Sequence, residues 1–301
     1  MMAAGAMGFW MLRFGLTQTG RYAAGLLGAL LLAAVVSAMG AGGGFAHGAL
    51  ARGLALVHLD FGPSAMTGAA AAHELATRLP ATLELAGGGL LVALVLGLPL
   101  GLLLSWGRAL RAGAPLIQLV AAAPVFCAGL ALLWISHRLG WDVSAKTGLS
   151  FWPALLGGDL SGAAHALPAY GLPVLVVGAA GAASVQLAIR RAALGAMREP
   201  YRSALRLMGL GAFEIDRLYL APRLLAGLFA SLGEVVLSLF ASTAVAEWVF
   251  AWPGAATLFI HSVALEDWNV AALVLFAFAA MTLTVNFLGA LAAYALGEAS
   301  T

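Results

Sequence analysis

Few residues of this chain belong to types that carry out covalent chemistry, and those few are scattered. The single cysteine, Cys127, lies in an apolar run, so it can form neither an intrachain disulfide nor a thiolate metal cluster. No two of the six histidines have the spacing of metal ligands on one helix. These histidines are His47, His58, His73, His137, His165 and His261. We therefore predict neither a catalytic residue nor a metal site.

The chain also lacks the common patterns of hydrolytic enzymes. The phosphate-binding pattern G-x-x-x-x-G-K-[ST] is absent, and the only lysine, Lys146, stands between Ala145 and Thr147. The patterns H-E-x-x-H and G-x-S-x-G are absent as well. We expect that the chain is not an enzyme by itself and holds no cofactor of its own.

The composition predicts a membrane protein. Hydrophobic residues make up 62% of the chain and charged residues only 9%, and the mean hydropathy is +0.98. Soluble domains carry roughly 25% charged residues, so the surface of this protein must face lipid. The 15 basic residues are spread over 301 positions, which excludes a nucleic-acid-binding domain.

Six apolar runs are long enough for a transmembrane helix, which needs about 20 residues. They lie at about 23–43, 85–107, between Arg111 and Arg138, between Asp159 and Arg190, at about 224–246, and between Asp267 and Glu298. A shorter run at 252–265 predicts an interfacial or re-entrant segment. The runs are apolar on every side and rich in Gly and Ala, which predicts an all-α bundle of about six transmembrane helices.

The first run has a second interpretation as a signal peptide. Arg13 and Arg21 precede its apolar core, and small residues follow at 37–41. Its length favours a retained helix.

The distribution of charge predicts the orientation. If the N-terminus lies inside, the inside segments hold eleven basic residues and the outside segments four. This bias follows the positive-inside rule, so both termini should be cytoplasmic. The inside loop at 190–223 holds seven basic and three acidic residues, which suggests a docking surface for a soluble partner.

One segment of this loop resembles the coupling loop of ABC importer permeases. That loop has the pattern Glu-Ala-Ala, three residues, Gly, nine residues, Ile, one residue, Leu-Pro, and this chain matches it at Ala204, Gly209 and Pro222. The chain departs from the pattern at 203, 205, 219 and 221. The resemblance implies that the segment couples the chain to an ATPase through Glu199, Pro200, Tyr201, Arg202, Ala204, Leu205, Arg206, Gly209 and Pro222.

The local chemistry of this coupling segment (198–222) predicts a short helix. Pro200 suits the first helical turn, where its missing N–H is not needed, and Glu199 suits the positive end of the helix. Gly209 can end the helix and turn the chain, and Pro222 would begin the fifth span.

Four further segments are similar to the dipeptide, oligopeptide and nickel permease family, on the side of its first permease subunit. Each match is short, but all four occur in the family order and on the matching sides of the membrane. They are D-F-G-P-S at 60–64, R-L-P-A-T-L-E-L at 78–85, H-A-L-P-A at 165–169 and E-W-V-F-A-W-P-G at 247–254.

This resemblance implies the transmembrane-domain fold of type I ABC importers and a division of the chain. Residues 1–79 would hold a cytoplasmic segment, the first helix and an external loop, and residues 80–297 the transmembrane domain. The implied partners are a second homologous permease, two ATPases that bind ATP and Mg, an external binding protein and membrane lipid. The cargo would be a peptide or similar small solute in a bacterial inner membrane. A nickel or metal-chelate permease stays open, as does a secondary transporter or channel subunit.

Polar residues inside the predicted spans are candidates for the translocation path or its gate. Glu234 lies in the fifth run, where an acid costs at least ~2.5 kcal/mol at the helix centre, so we expect it to face the bundle interior. It would either contact a cationic group of the substrate or be a hydrogen-bonded packing residue. Glu247 matches the family pattern and should hold the turn at 252–254. Gln186 and Asn286 are further candidates, and interhelical hydrogen bonds are their other interpretation.

Overall fold

The computed structural model describes residues 2–39, 60–105, 124–141, 143–144, 148–149, 151–197 and 205–296. Nearly all of this part is α-helical, and its one β-bridge joins Pro63 to Ala70. The helices are α1 Met2–Ala38, α2 Ala71–Leu103, α3 Val125–Arg138, α4 Phe151–Leu156, α5 Leu160–Met197, α6 Ala221–Ala230, α7 Leu232–Val249, α8 Ala255–Ala264 and α9 Trp268–Ala295. An α-helical turn, Ala212–Ile215, and a π-helix, Asp216–Leu220, precede α6.

Five helices within the described ranges are long and apolar enough to cross a membrane. Their spans are Gly15–Ala38, Ala71–Leu103, Leu160–Met197, Leu232–Val249 and Trp268–Ala295. The third predicted run falls partly at 106–123, outside the described residues, and α3 is its described part. The run at 252–265 forms the ten-residue helix α8, too short to span a bilayer. The all-α, multi-span expectation is therefore confirmed.

The centre of the bundle is the contact between α2 and α5, which run in the same direction. Glycines let their backbones approach closely, because a Cβ on Gly97 would lie 2.7 Å from Cβ of Val185. A Cβ on Gly101 would lie 2.8 Å from the backbone oxygen of Gln186.

The first and last described helices, α1 and α9, run antiparallel. Tyr22 bonds Thr284 in the second half of α9, and Ser37 donates to Asn269 at the start of α9. The start of α1 and the end of α9 therefore lie at the same end of the bundle. Retention of the first helix stays a prediction.

The fifth span begins later than the sequence indicates. The apolar run from 224 is divided at Ser231, whose backbone (φ −99°, ψ 4°) leaves α-helical geometry between α6 and α7. The membrane-length segment starts at Leu232 rather than Leu224. Hydropathy alone does not register this bend, because both helices are apolar.

Candidate functional site

Most of the predicted functional residues within the described ranges lie at two ends of the bundle. We call one the basic end, defined by Arg190, Arg191, Arg206, Arg217 and Arg223. The other, which we call the opposite end, is defined by residues 60–70, α4 and α8. Glu234 and Glu247 of α7 are separated by roughly 20 Å at a rise of 1.5 Å per residue. The sequence-predicted candidates therefore do not form a single site.

The coupling segment begins outside the described residues, which exclude Glu199, Pro200, Tyr201, Arg202 and Ala204. Residues 205–207 are helical, and that turn ends at Gly209 as expected. Gly209 has φ +88°, its N–H bonds the Arg206 carbonyl at 3.0 Å, and the next N–H, of Leu210, bonds the Leu205 carbonyl at 3.2 Å. This pair of bonds is a Schellman end, which needs the left-handed conformation that glycine adopts without strain.

Pro222 lies in the first turn of α6 and explains the π-helix before it. Pro222 is the second residue of α6 and has no N–H, so it cannot bond the carbonyl four residues earlier. The preceding turn widens instead, and the N–H of Ala221 bonds the carbonyl of Asp216, five residues earlier. The π-helix therefore continues directly into α6 without a loop.

Two apolar side chains at the basic end have little contact with the rest of the described chain. Leu207 is 90% exposed and Met208 is 76% exposed. They follow the exposed Arg206 in the sequence of the coupling segment. An exposed apolar pair beside a cation is a surface that a protein partner can cover.

The structure corrects the expectation for Glu234. It lies in the first turn of α7, and its side chain is 69% exposed rather than directed into the chain's own bundle. Arg191 of α5 donates to its carboxylate at 3.3 Å. The bend at Ser231 accounts for this placement, because it puts Glu234 at the start of the span and not at its centre.

A groove of about 350 Å³ opens beside this ion pair, between α5 and α6. Small side chains and two arginines line it: Ala188, Arg191, Ala192, Gly195, Ala196, Arg223, Gly227, Ala230 and Ser231. Asn286 of α9 lies nearby, packed against Gly233, where an added Cβ would meet its side chain at 2.7 Å. The structure thus brings Glu234 and Asn286 to the same region of α7.

Gln186 lies inside the bundle rather than at the groove. It is buried on α5, and its Nε2 has no acceptor among the described residues. Its role on the translocation path stays a prediction.

Glu247 forms the centre of a buried polar cluster at the opposite end. Thr82 of α2 donates to its Oε1 at 2.6 Å, and the N–H of Thr257 donates to its Oε2 at 2.9 Å. The Thr82 hydroxyl also accepts from the N–H of Ala255 at 2.7 Å. These two side chains, which we call the Thr82–Glu247 clasp, satisfy the free N–H groups at the start of α8. The clasp joins α2, α7 and α8.

The turn at 252–254 is built around the clasp. A Cβ on Gly254 would overlap the Glu247 carboxylate, so only glycine leaves room for this acid. Trp252 is fully buried, and its indole N–H donates to the Ala81 carbonyl at 3.2 Å. Glu247 is therefore packed against this turn, and its carbonyl accepts from the Trp252 N–H at 2.7 Å. Its role as a gate stays a prediction.

A second buried acid, Asp267, begins α9. The Ser64 hydroxyl donates to it, and it accepts from the N–H of Val270 at 3.4 Å. Asn269 donates to the Pro63 carbonyl at 2.9 Å. The D-F-G-P-S segment is therefore fastened to α9 at the opposite end.

Sequence reasoning missed the roles of Thr82, Arg191, Ser64 and Asp267. Thr82 and Ser64 lie inside matched segments, and that position was the available signal. In the sequence, Arg191 and Asp267 were used only to mark the ends of predicted spans. Their hydrogen-bond partners, Glu234 and Ser64, are distant in sequence, so no local pattern predicts these contacts. Within the described part of the chain, no three His, Cys, Asp or Glu side chains are grouped as metal ligands would be.

Comparison with known proteins identifies a family and several related permeases. Residues 89–299 match the family described as binding-protein-dependent transport system inner membrane component. The probable D,D-dipeptide transport system permease protein DdpB of Escherichia coli K12 is 33% identical over 77% of this chain and 74% of its own length. The di/tripeptide transport system permease protein DppB of Pseudomonas aeruginosa UCBPP-PA14 is 28% identical, over 76% and 72%. The putrescine export system permease protein SapB of E. coli K12 is 27% identical, over 71% and 72%.

The family match covers more than two thirds of the chain and includes α5 to α9, the coupling segment and Glu247. The apolar helices agree with a membrane subunit. The chain belongs to the inner-membrane permease family of binding-protein-dependent ABC transport systems, and it has the type I importer membrane fold.

Proposed function

We propose that this permease forms half of the pathway of an ATP-driven importer for short peptides. Two of the relatives are named for dipeptide or di/tripeptide transport, which supports this substrate class. The observation that carries the coupling role is the exposed pair Leu207 and Met208 in a segment with the family pattern. The residues proposed to face the ATPase are those of the coupling segment, 198–222. The division of the chain at residue 80 stays a prediction.

The proposed assembly contains a second homologous permease, two ATPases and an external binding protein. Each ATPase would receive a coupling segment and bind ATP and Mg, since this chain has no phosphate-binding loop. Closure of the ATPases would move the coupling segments as rigid bodies and turn the bundle outward, and hydrolysis would reset it.

The proposed orientation puts the basic end in the cytoplasm. The positive-inside rule supports it, because arginines of the loop at 190–223 cluster there. Both termini would then be cytoplasmic. The binding protein would deliver its cargo at the opposite end, near α8 and residues 60–70.

A matched pair of leucine variants tests the coupling role. Leu207 and Leu156 are 90% and 81% exposed, at the basic and opposite ends. In the reconstituted transporter, Leu207→Ser should reduce transport per ATP hydrolysed about fivefold or more, since removing an apolar anchor costs on the order of 1–2 kcal/mol. Leu156→Ser should not. Equal ratios in both variants would reject coupling through this surface, and transport without ATP or ATPases would reject the importer.

A further inference from the structure

We infer that the groove between α5 and α6, with the Arg191–Glu234 pair at its edge, is a peptide subsite that binds the charged termini of short peptides. The inference rests on the proposed function and names where on the path the substrate is held. It concerns a part of the chain outside the coupling segment and outside the Thr82–Glu247 clasp.

The first observation is the size of the groove between α5 and α6. The groove measures about 350 Å³, and ligand pockets span about 300–1,000 Å³. Every lining residue other than the two arginines is Gly, Ala or Ser, so no side chain fills the groove. A dipeptide with small side chains fits a space of this size.

The second observation is the arrangement of charge. A free peptide carries an ammonium group and a carboxylate, and the groove region offers the carboxylate of Glu234 and the guanidinium of Arg191. The two side chains come from different helices and are 69% and 59% exposed. Exposed ion pairs of this kind are weak, so each partner can exchange the other for a group of the substrate. Arg191 would take the carboxylate and Glu234 the ammonium group.

The third observation concerns the surroundings. Charged side chains are costly against hydrocarbon, so a surface bearing Arg191, Arg223 and Glu234 faces water or a partner rather than lipid tails. Asn286, packed on Gly233 beside Glu234, adds a further polar group to this region.

The charges also discriminate between classes of cargo. Around the groove lie two guanidinium groups, which attract a carboxylate, and the carboxylate of Glu234, which attracts an ammonium group. A zwitterion satisfies both signs. Putrescine, for which one relative is named, offers nothing to Arg191 or Arg223.

Cysteine protection tests the subsite directly. Ser231 lines the groove, and Leu218 is exposed at the same end but is not among the lining residues. Ser231→Cys and the control Leu218→Cys are each made with Cys127→Ser, and the purified full transporter is labelled with a maleimide dye. Ala-Ala or D-Ala-D-Ala at millimolar concentration should slow labelling at 231 at least threefold and leave 218 unchanged.

Charge variants define which groups bind. In the Ser231→Cys background, Arg191→Gln or Glu234→Gln should raise the half-protecting dipeptide concentration about fivefold or more, as expected for the loss of a charge-assisted hydrogen bond. Arg191→Lys and Glu234→Asp keep the charge and should retain part of the protection. Capping both termini, as in N-acetyl-Ala-Ala-amide, should abolish protection.

Three results would overturn the inference: no protection by either dipeptide, protection by putrescine alone, or equal protection by inorganic phosphate. Protection by putrescine alone would show that the groove binds a dication. Equal protection by phosphate would show that the arginines bind anions in general and not peptides in particular. In each case the coupling test on Leu207 still decides the proposed function separately.

Discussion

Thr82 of α2 donates a 2.6 Å hydrogen bond to Glu247 of α7 and accepts one from the first N–H of α8. One hydroxyl thus connects two long helices and a short one at a fully buried point. Buried carboxylates are stable only when hydrogen-bonded, so both acceptor oxygens of Glu247 depend on this arrangement. The clasp therefore holds α2, α7 and α8 together at the opposite end.

Thr82→Val should destabilise the protein by about 1–3 kcal/mol, because it removes the donor to Glu247 and the acceptor for Ala255 while preserving shape. Thermal unfolding of the detergent-solubilised protein measures the change. Thr82→Ser keeps both bonds and serves as the control. If valine and serine variants unfold at the same temperature, the clasp contributes nothing.

Gly254→Ala should displace the Glu247 carboxylate, because the new Cβ would occupy its position. Gly254 has φ −97°, which any residue adopts, so the cost is steric and on the order of 1–3 kcal/mol. Glu247→Ala in the same chain creates the missing space. The double variant should therefore be less destabilised than the sum of the two single variants. Additive effects would show that the overlap is relieved elsewhere.

Gly209→Val should uncouple ATP hydrolysis from transport and leave membrane insertion intact. Gly209 has φ +88° and no atom within contact distance of an added Cβ, so the strain is conformational, about 1–2 kcal/mol. Gly209→Asn should be milder, because asparagine tolerates this region. Measurement of ATPase and uptake rates in vesicles separates the two variants, and normal uptake by the valine variant would remove the coupling role of the turn.

Asp267→Ala should loosen the start of α9 and the segment at 60–64 together. It removes the acceptor for Ser64 and for the Val270 N–H, at a cost of about 1–3 kcal/mol. Hydrogen exchange should rise at both segments. Ser64→Ala, which removes only one contact, should raise exchange mainly at 64–68, and unchanged exchange at 60–64 in Asp267→Ala would contradict the link.

The stability of the first turn of α5 should depend on pH through Asp159. Hydrogen bonds from the Gly162 N–H and the Ser161 hydroxyl lower the pKa of this exposed carboxyl. A lowered pKa contributes stability above the unfolded value, and that stability is lost as pH falls through the folded value. Exchange at 160–163 should therefore rise below about pH 4, near the ordinary Asp range. Asp159→Asn should remove this pH dependence, and an unchanged profile would exclude Asp159 as its source.

The sequence by itself determined the class of the protein and the order of its parts. Low charge and long apolar runs require lipid-facing helices. These features are local, so they can be recognised from the sequence without a structure. The end of the turn at Gly209 was likewise predictable, because glycine adopts the left-handed conformation without strain. Pro222 was expected to begin the fifth span, but it begins only α6, and the span starts at Leu232.

Only the tertiary structure decided which polar residues meet. Glu247 and Thr82 are 165 positions apart, and Arg191 and Glu234 are 43 apart, so no spacing rule pairs them. Glu234 was expected in the bundle interior, but the bend at Ser231 places it in the first turn of α7, where it is exposed. The sequence does not predict the bend, because the residues on both sides of it are apolar. Helix packing brings distant residues together, and it is a property of the whole chain rather than of any segment.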